Sequence, residues 1–290
     1  MYNESDGAIG LPGFNTFGPS PERRALGVED IFLTRDPESL VRQPEVSPVP
    51  VIIGLTGLEG IYFYYKQKLD RKPQVVADYA VNPAQLVGPT VAPFPDTARI
   101  LGVSANQSLS ARQLADINAR IKEEYKLSGR GDDNFIKFYS DVSSGVTAHR
   151  LINLTLADPR RHEAPVYLYH FLEDGDYNWG KVSNNITAKG ASHTDELGYL
   201  MHITSPKNLK QTVNGTTKSS KTLRLLTKLW TDFAKSGQPA TPQLWPAATG
   251  SAATAAFARI SADSWGLLGA GLAGPHVSLW DDIYSLLRRM

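Results

Sequence analysis

The chain contains no cysteine, which removes disulfides, thiolate zinc sites, iron–sulfur clusters and cysteine nucleophiles together. Neither charge is in excess. Thirty Lys and Arg stand against 29 Asp and Glu, a formal charge of +1, so no overall field recruits nucleic acid or an anionic membrane surface. No run reaches the roughly 18 consecutive apolar residues that a spanning helix needs. The start, Met1-Tyr2-Asn3-Glu4-Ser5-Asp6-Gly7, has neither the basic nor the apolar segment of an export signal. His and carboxylates do not cluster at ligand spacing, so no metal or organic cofactor is expected. No internal repeat is visible at a period of roughly 20–50 residues.

What remains is an ordinary globular composition. The 290 residues are 41% hydrophobic and 20% charged, enough for a large core in one α/β domain or two small ones. The lack of cysteine alone suggests a reducing compartment. Five Asn-x-Ser/Thr acceptors, at Asn3, Asn106, Asn153, Asn185 and Asn214, instead suit a secreted glycoprotein surface. Composition leaves the compartment open.

Residues 1–48 are rich in Gly, Pro and charge and read as irregular connection with one short helix near Gly27–Leu33. Val49–Leu55 is then a short β-branched apolar run bounded by Pro and Gly, which predicts a strand buried on both faces of a parallel sheet. Ala164–Phe171 has the same character. Between them Leu109, Leu114, Ile117, Ile121 and Tyr125 recur at helical spacing, with Ser108 or Ser110 placed to cap. A second helix is predicted over Ser220–Ser236, where Leu223, Leu226, Trp230 and Phe233 make a stripe and Gly237 supplies the left-handed stop. A third closes the chain, with Ser278 as cap and Leu279, Ile283, Leu286 and Leu287 facing inward. Residues 247–274 are Ala- and Gly-rich and read as loop plus a short strand at Phe257–Ile260. Strands separated by helices predict a doubly wound α/β sheet.

Two segments stand out chemically. Gly54-Leu55-Thr56-Gly57-Leu58-Glu59-Gly60-Ile61-Tyr62-Phe63 puts a carboxylate just past a strand end, where open α/β sheets place functional groups; a plain helix-start carboxylate is the alternative. Gly190-Ala191-Ser192-His193-Thr194-Asp195-Glu196-Leu197 puts an imidazole among acids, and a surface histidine would look the same.

Taken in order, the motifs are more specific. Gly-x-x-x-x-Glu-Gly-x-x-Phe, then Ser140-Asp141, then Val-Tyr-x-Tyr-x-Phe, then the Gly190–Leu200 segment, resemble the C-terminal half of a type-B carboxylesterase, the group of cholinesterases and insect juvenile hormone esterases. Trp230-Thr231-Asp232-Phe233-Ala234-Lys235-Ser236-Gly237-Gln238-Pro239, Trp245-Pro246 and Leu279-Trp280 follow in the same order. The resemblance runs from about Phe17-Gly18-Pro19 to the C-terminus. It implies the C-terminal portion of an α/β-hydrolase fold, with a partial, mostly parallel central sheet and flanking helices, in a single partial domain over residues 1–290. It also implies a serine esterase triad in the chain order nucleophile, acid, histidine. Glu59 would be the acid, His193 the general base, Tyr62 and Phe63 the lining of a substrate gorge, and Glu196 a structural hydrogen-bonding carboxylate.

The sequence has no Gly-x-Ser-x-Gly, the elbow that such chemistry needs. Gly102-Val103-Ser104-Ala105-Asn106 lacks the last glycine and follows Glu59, the wrong order; Ser143-Ser144-Gly145 lacks the first. By the resemblance, the elbow and the oxyanion loop lie before Met1. The expectation is a carboxylic ester hydrolase fragment without turnover of its own, poorly soluble because its first strand lacks a neighbour. Its substrate would be a small carboxylic ester, with no nucleic acid partner and no membrane span, and the resemblance points to secretion. Two alternatives are a non-catalytic cholinesterase-like adhesion protein and a small hydrolase with an unorthodox nucleophile.

Overall fold

The structure, a computed structural model, describes residues 48–66, 110–127, 132–202, 213–272 and 274–288, with Phe32, Thr34, Arg35, Leu40 and Gln74. In chain order the elements are β1 (Val51–Thr56), α1 (Gly60–Lys66), α2 (Ala111–Tyr125), α3 (Asp132–Ser140), a π-helical turn (Asp141–Gly145) and α4 (Val146–Leu156). A 3-10 turn (Pro159–His162), β2 (Val166–Phe171), α5 (Trp179–Asn184), α6 (Leu197–Leu200), α7 (Lys218–Ser236), β3 (Ala256–Ile260), β4 (Leu268–Ala270) and α8 (Val277–Arg288) follow. The chain divides into two compact units, one of residues 1–43, 72–131 and 279–290, the other of residues 44–71 and 132–278.

The larger unit is built on a four-stranded sheet in the order β1-β2-β3-β4. β1 pairs with β2 in parallel, Val51 opposite Val166 through Thr56 opposite Phe171. β3 is parallel to β2 and β4 antiparallel to β3. Side chains alternate across β2. Tyr167, Tyr169 and Phe171 pack on one face with Leu223, Leu226 and Leu229 of α7, Tyr199 and Trp245. Val166 and Leu168 pack on the other with Ile152 of α4, Ala252, Phe257 and Leu272. A strand covered on both faces is apolar over most of its length, here interrupted only by half-buried His170, which is why its run was legible. Gly54 is required where β1 meets β2, because a Cβ there would lie 2.2 Å from the Tyr169 ring.

Several expectations change in detail. β1 begins at Val51, and five of its six residues are half-buried rather than buried. It is the end strand, with no further strand on its outer side among the described residues. Residues 247–274 hold more structure than a loop and a short strand. β3 joins the main sheet, and Gly269, whose missing side chain leaves room for the Phe257 ring, lets β4 pair with it. α7 follows its prediction: Thr217 Oγ1 accepts Ser220 N–H at 3.1 Å and Gly237, at φ 72°, stops it. The Gly27–Leu33 helix expectation lies outside the described residues apart from Phe32.

In the smaller unit, α2 carries a capping box between Ser110 and Gln113, so Ser110, not Ser108, is the cap. Ile117, Ile121 and Tyr125 are buried. The Tyr125 hydroxyl accepts the Trp280 indole N–H at 2.8 Å. α8 starts at Val277, which places Ser278 inside the helix rather than at its cap; Ile283 is buried and Leu286 half-buried. No helix among the described residues is long and apolar enough to cross a membrane.

Candidate active site

β1 ends at Thr56, the chain turns through Gly57–Glu59, and α1 begins at Gly60. The turn is short because Glu59 closes it. Its Oε1 accepts the Thr56 N–H at 2.7 Å, while Gly57 N–H donates to Phe171 O at 2.9 Å and Leu58 N–H to Ala191 O at 2.7 Å. The Glu59 turn is therefore stitched by backbone both to the end of β2 and to the loop carrying His193. Behind it, Gly60 N–H donates to Ser140 Oγ at 2.8 Å, and that hydroxyl donates to Ile136 O at 2.7 Å. A Cβ at residue 60 would lie 2.6 Å from Ile136 O, so only glycine lets the two segments approach this closely.

Glu59 is buried, and its second oxygen reaches His193. The separation from Oε2 to Nδ1 is 2.7 Å, with the Glu59 side chain 8% exposed and the imidazole 40% exposed. A carboxylate can only accept, so Nδ1 carries the proton and donates it. Nε2 is then the basic nitrogen. Burial pulls the His193 pKa down. The hydrogen bond and charge of Glu59, with the charges of Glu196 and Asp195, outweigh it and hold the imidazole above its ordinary value. Two residues distant in sequence thus meet as a charge-assisted pair.

A model of the carboxylesterase family matches residues 14–265. The chain belongs to the carboxylesterase family. The crystal structure of juvenile hormone esterase from Manduca sexta, with OTFP covalently attached, aligns with a TM-score of 0.65 at 24% identity, over 94% of this chain and 47% of that one. The fold is accordingly that of an α/β hydrolase. Juvenile hormone esterase of Heliothis virescens is 24% identical over 243 residues, 82% of this chain and 39% of its own length. Esterase FE4 of Myzus persicae is 25% identical over 237 residues, 80% of this chain and 38% of its own. This carboxylesterase-family chain spans less than half the length of these relatives.

Around the pair, Phe63 stacks on the His193 ring with centroids 4.9 Å apart, and Tyr62 lies 5.7 Å from it. Phe63 also packs edge-on against Tyr139, so it touches core and imidazole at once. The Tyr62 hydroxyl accepts from Lys66 Nζ at 3.0 Å. Glu196 sits close behind. Burial, aided by the charge of Glu59, pushes its pKa up to about 7 against the pull of its own backbone hydrogen bond and of His193. Its buried Oε2 has no partner among the described residues. The carboxylate thus keeps a backbone hydrogen bond, in line with the structural role expected for it, while one oxygen stays unsatisfied.

Other flagged residues are dispersed. Ser143 and Ser144 lie in the π-helical turn, with Ser143 Oγ donating to Ser140 O at 3.3 Å. Asn153 is inside α4, its Oδ1 accepting Ala252 N–H at 2.8 Å and its Nδ2 against His149 Nε2 at 2.9 Å. Asn185 and Asn214 are exposed. Asn3, Asn106 and the Gly102–Asn106 segment lie outside the described residues. Sequence reading missed the polar scaffold under His193, made by Asn178, Lys181 and Asp174. Only Asp195, noted as an acidic neighbour, carried a local signal for it.

Proposed function

We propose that this chain supplies the acid and the general base of a serine carboxylic ester hydrolase, Glu59 and His193. The observation that carries this reading is the 2.7 Å contact between Glu59 Oε2 and His193 Nδ1, on segments that follow the adjacent parallel strands β1 and β2. In this scheme Nε2 of His193 takes the proton of a serine hydroxyl as it attacks the ester carbonyl, then returns it to the leaving alcohol. Glu59 fixes the Nδ1–H tautomer and stabilises the imidazolium that forms. Thr56 N–H holds the other carboxylate oxygen, so the acid cannot rotate away from the ring.

The serine and the oxyanion donors come from outside this sequence, which has no Gly-x-Ser-x-Gly. Residues 1–290 thus act as one part of a single esterase domain whose other part carries the nucleophile, and the chain alone does not turn over ester. The outer edge of β1 is where the missing part adds to the sheet. Exposed Asn185 and Asn214 suit a secreted, glycosylated enzyme. A purely adhesive module would have no use for a paired carboxylate and imidazole, so the geometry favours the hydrolase over that alternative.

A fluorophosphonate probe tests the reading. The 290-residue chain should remain unlabelled. Combined with an upstream segment carrying Gly-x-Ser-x-Gly, it should label at that serine, and His193→Ala should abolish labelling. Labelling of the chain alone at one of its own serines, lost in His193→Ala, would instead establish an unorthodox nucleophile.

A further inference from the structure

We propose that Asp195 is the positioning residue for His193, its carboxylate fixing the strained turn that aims the imidazole at Glu59. The inference rests on the acid and base roles given above and goes past them to what holds the base in place.

His193 sits in the four-residue turn Ser192–Asp195, closed by Asp195 N–H donating to Ser192 O at 3.0 Å. Thr194, the third residue, has φ 70°. Negative φ at the second position and positive φ at the third is the pattern of a type II turn, which asks for glycine there. A β-branched residue in the left-handed region is strained. Such a conformation persists only where its surroundings over-determine it, and here they converge on one side chain.

Asp195 is completely buried. Its Oδ2 accepts Ser192 N–H at 2.6 Å and Asn178 Nδ2–H at 2.7 Å, and its Oδ1 accepts Lys181 N–H at 3.0 Å. One bond closes back across the turn. The other two tie it to α5, whose first residue, Trp179, donates its N–H to Asp195 O at 3.4 Å. α5 can lie this close only because residue 180 is glycine, where a Cβ would fall 2.3 Å from His193 O. Asn178 is anchored in turn, its Nδ2 also donating to Glu173 O at 2.9 Å and its Oδ1 accepting from Gly175 N–H and the Tyr199 hydroxyl, each at 2.8 Å. Asp195 touches neither the imidazole nor any reacting atom. It acts through the backbone on both sides of His193.

The charged groups around His193 are Glu59, Glu196 and Asp195 itself. Loss of the Asp195 charge alone would lower the His193 titration midpoint, so a midpoint does not separate charge from positioning. The Nδ1 proton does, since its resonance reports the hydrogen bond. The test is 15N and proton spectroscopy of the 290-residue chain labelled at histidine and held dilute.

Asp195→Asn keeps the shape of the side chain but turns an amide donor toward N–H groups. The His193 Nδ1 proton should move upfield, as the bond to Glu59 lengthens. Adding Thr194→Gly to Asp195→Asn should move that proton back, because glycine holds the turn without the clamp, while the midpoint stays low because no charge is restored. If Asp195→Asn does not fold, Asn178→Ala, which removes one donor to the carboxylate together with its bonds to Glu173 O, Gly175 N–H and the Tyr199 hydroxyl, should show the same upfield change. An unshifted Nδ1 proton in whichever of these variants folds, or an upfield proton that Thr194→Gly does not recover, would overturn the positioning role. Glu59→Gln is the separate control. If that change leaves the proton untouched, the Glu59–His193 pairing itself fails, whatever Asp195 does.

Discussion

Glu59 and His193, the proposed acid and base, are delivered to the same place by unlike means. Glu59 follows β1 by a three-residue turn that it closes itself, one oxygen on Thr56 N–H and the other on His193. His193 follows β2 by a much longer stretch that includes α5, and among the described residues no backbone group bonds its ring. Its position depends on Asp195, on Asn178, and on Lys181, whose ammonium pairs with Asp174 and also donates to Ala188 O at 3.2 Å. Asp174 in turn accepts Gly190 N–H at 2.8 Å. A carboxylate near a strand end can be held by the strand's own geometry. An imidazole that must come in over it needs a buried polar scaffold, and every member of that scaffold must be satisfied.

Substitutions that separate the two sides sharpen this contrast. The largest effect belongs to the pair itself. In an esterase reconstituted around this chain, Glu59→Gln or His193→Ala should lower kcat by a factor of order 10⁴, with KM little changed, as loss of a triad member does. Next come the glycines that permit close approach. Gly60→Ala on the acid side meets Ile136 O at 2.6 Å, and Gly180→Ala on the histidine side meets His193 O at 2.3 Å; each should cost about 3 kcal/mol in urea unfolding. Only Gly180→Ala should also disturb the His193 Nδ1 proton directly. Equal disturbance by both would erase the distinction between the two sides.

Glu196 gives a pH signature of about 3 kcal/mol, at about 1.4 kcal/mol per pKa unit. Its folded pKa of about 7 lies above its ordinary value of 4.5, so its contribution to stability is present below pH about 4.5 and lost as pH rises through 7. The raised His193 contributes in the same direction: its share is full below its unfolded pKa of about 6.5 and is lost as pH rises through the higher folded value. These two contributions should make stability decline from pH 5 to 8, against the opposing one of His170, whose pKa burial lowers, and Glu196→Gln should flatten most of that decline in denaturation curves taken across the range. The smallest effect is Ser140→Ala, which leaves Gly60 N–H without its acceptor and should cost about 1 kcal/mol on the acid side, leaving the histidine loop unmoved.

The same contrast explains what could be read from the sequence. Glu59 lies in one local stretch with its strand and glycines, and β2 is apolar on both faces, so both were legible. His193 was visible through its family-like motif and not through any pattern of burial. The scaffold was not visible, because Asn178, Lys181 and Asp174 come together only through long-range hydrogen bonds with no period or spacing. β3 and β4 were underread for a related reason. Ala, Gly and Arg dilute their hydrophobic signal, and their place in the sheet is set by Phe257 and Ile260 packing on opposite faces. β1 was overread, because an apolar run shows that a strand will be buried without showing which chain segment buries it.

The most direct check is a pH titration of the His193 Cε1 resonance in the wild-type chain and in Glu59→Gln. The pairing predicts a wild-type midpoint above the ordinary imidazole value of about 6.5 that falls on removal of the Glu59 charge. A midpoint at or below that value, unmoved by Glu59→Gln, would contradict it.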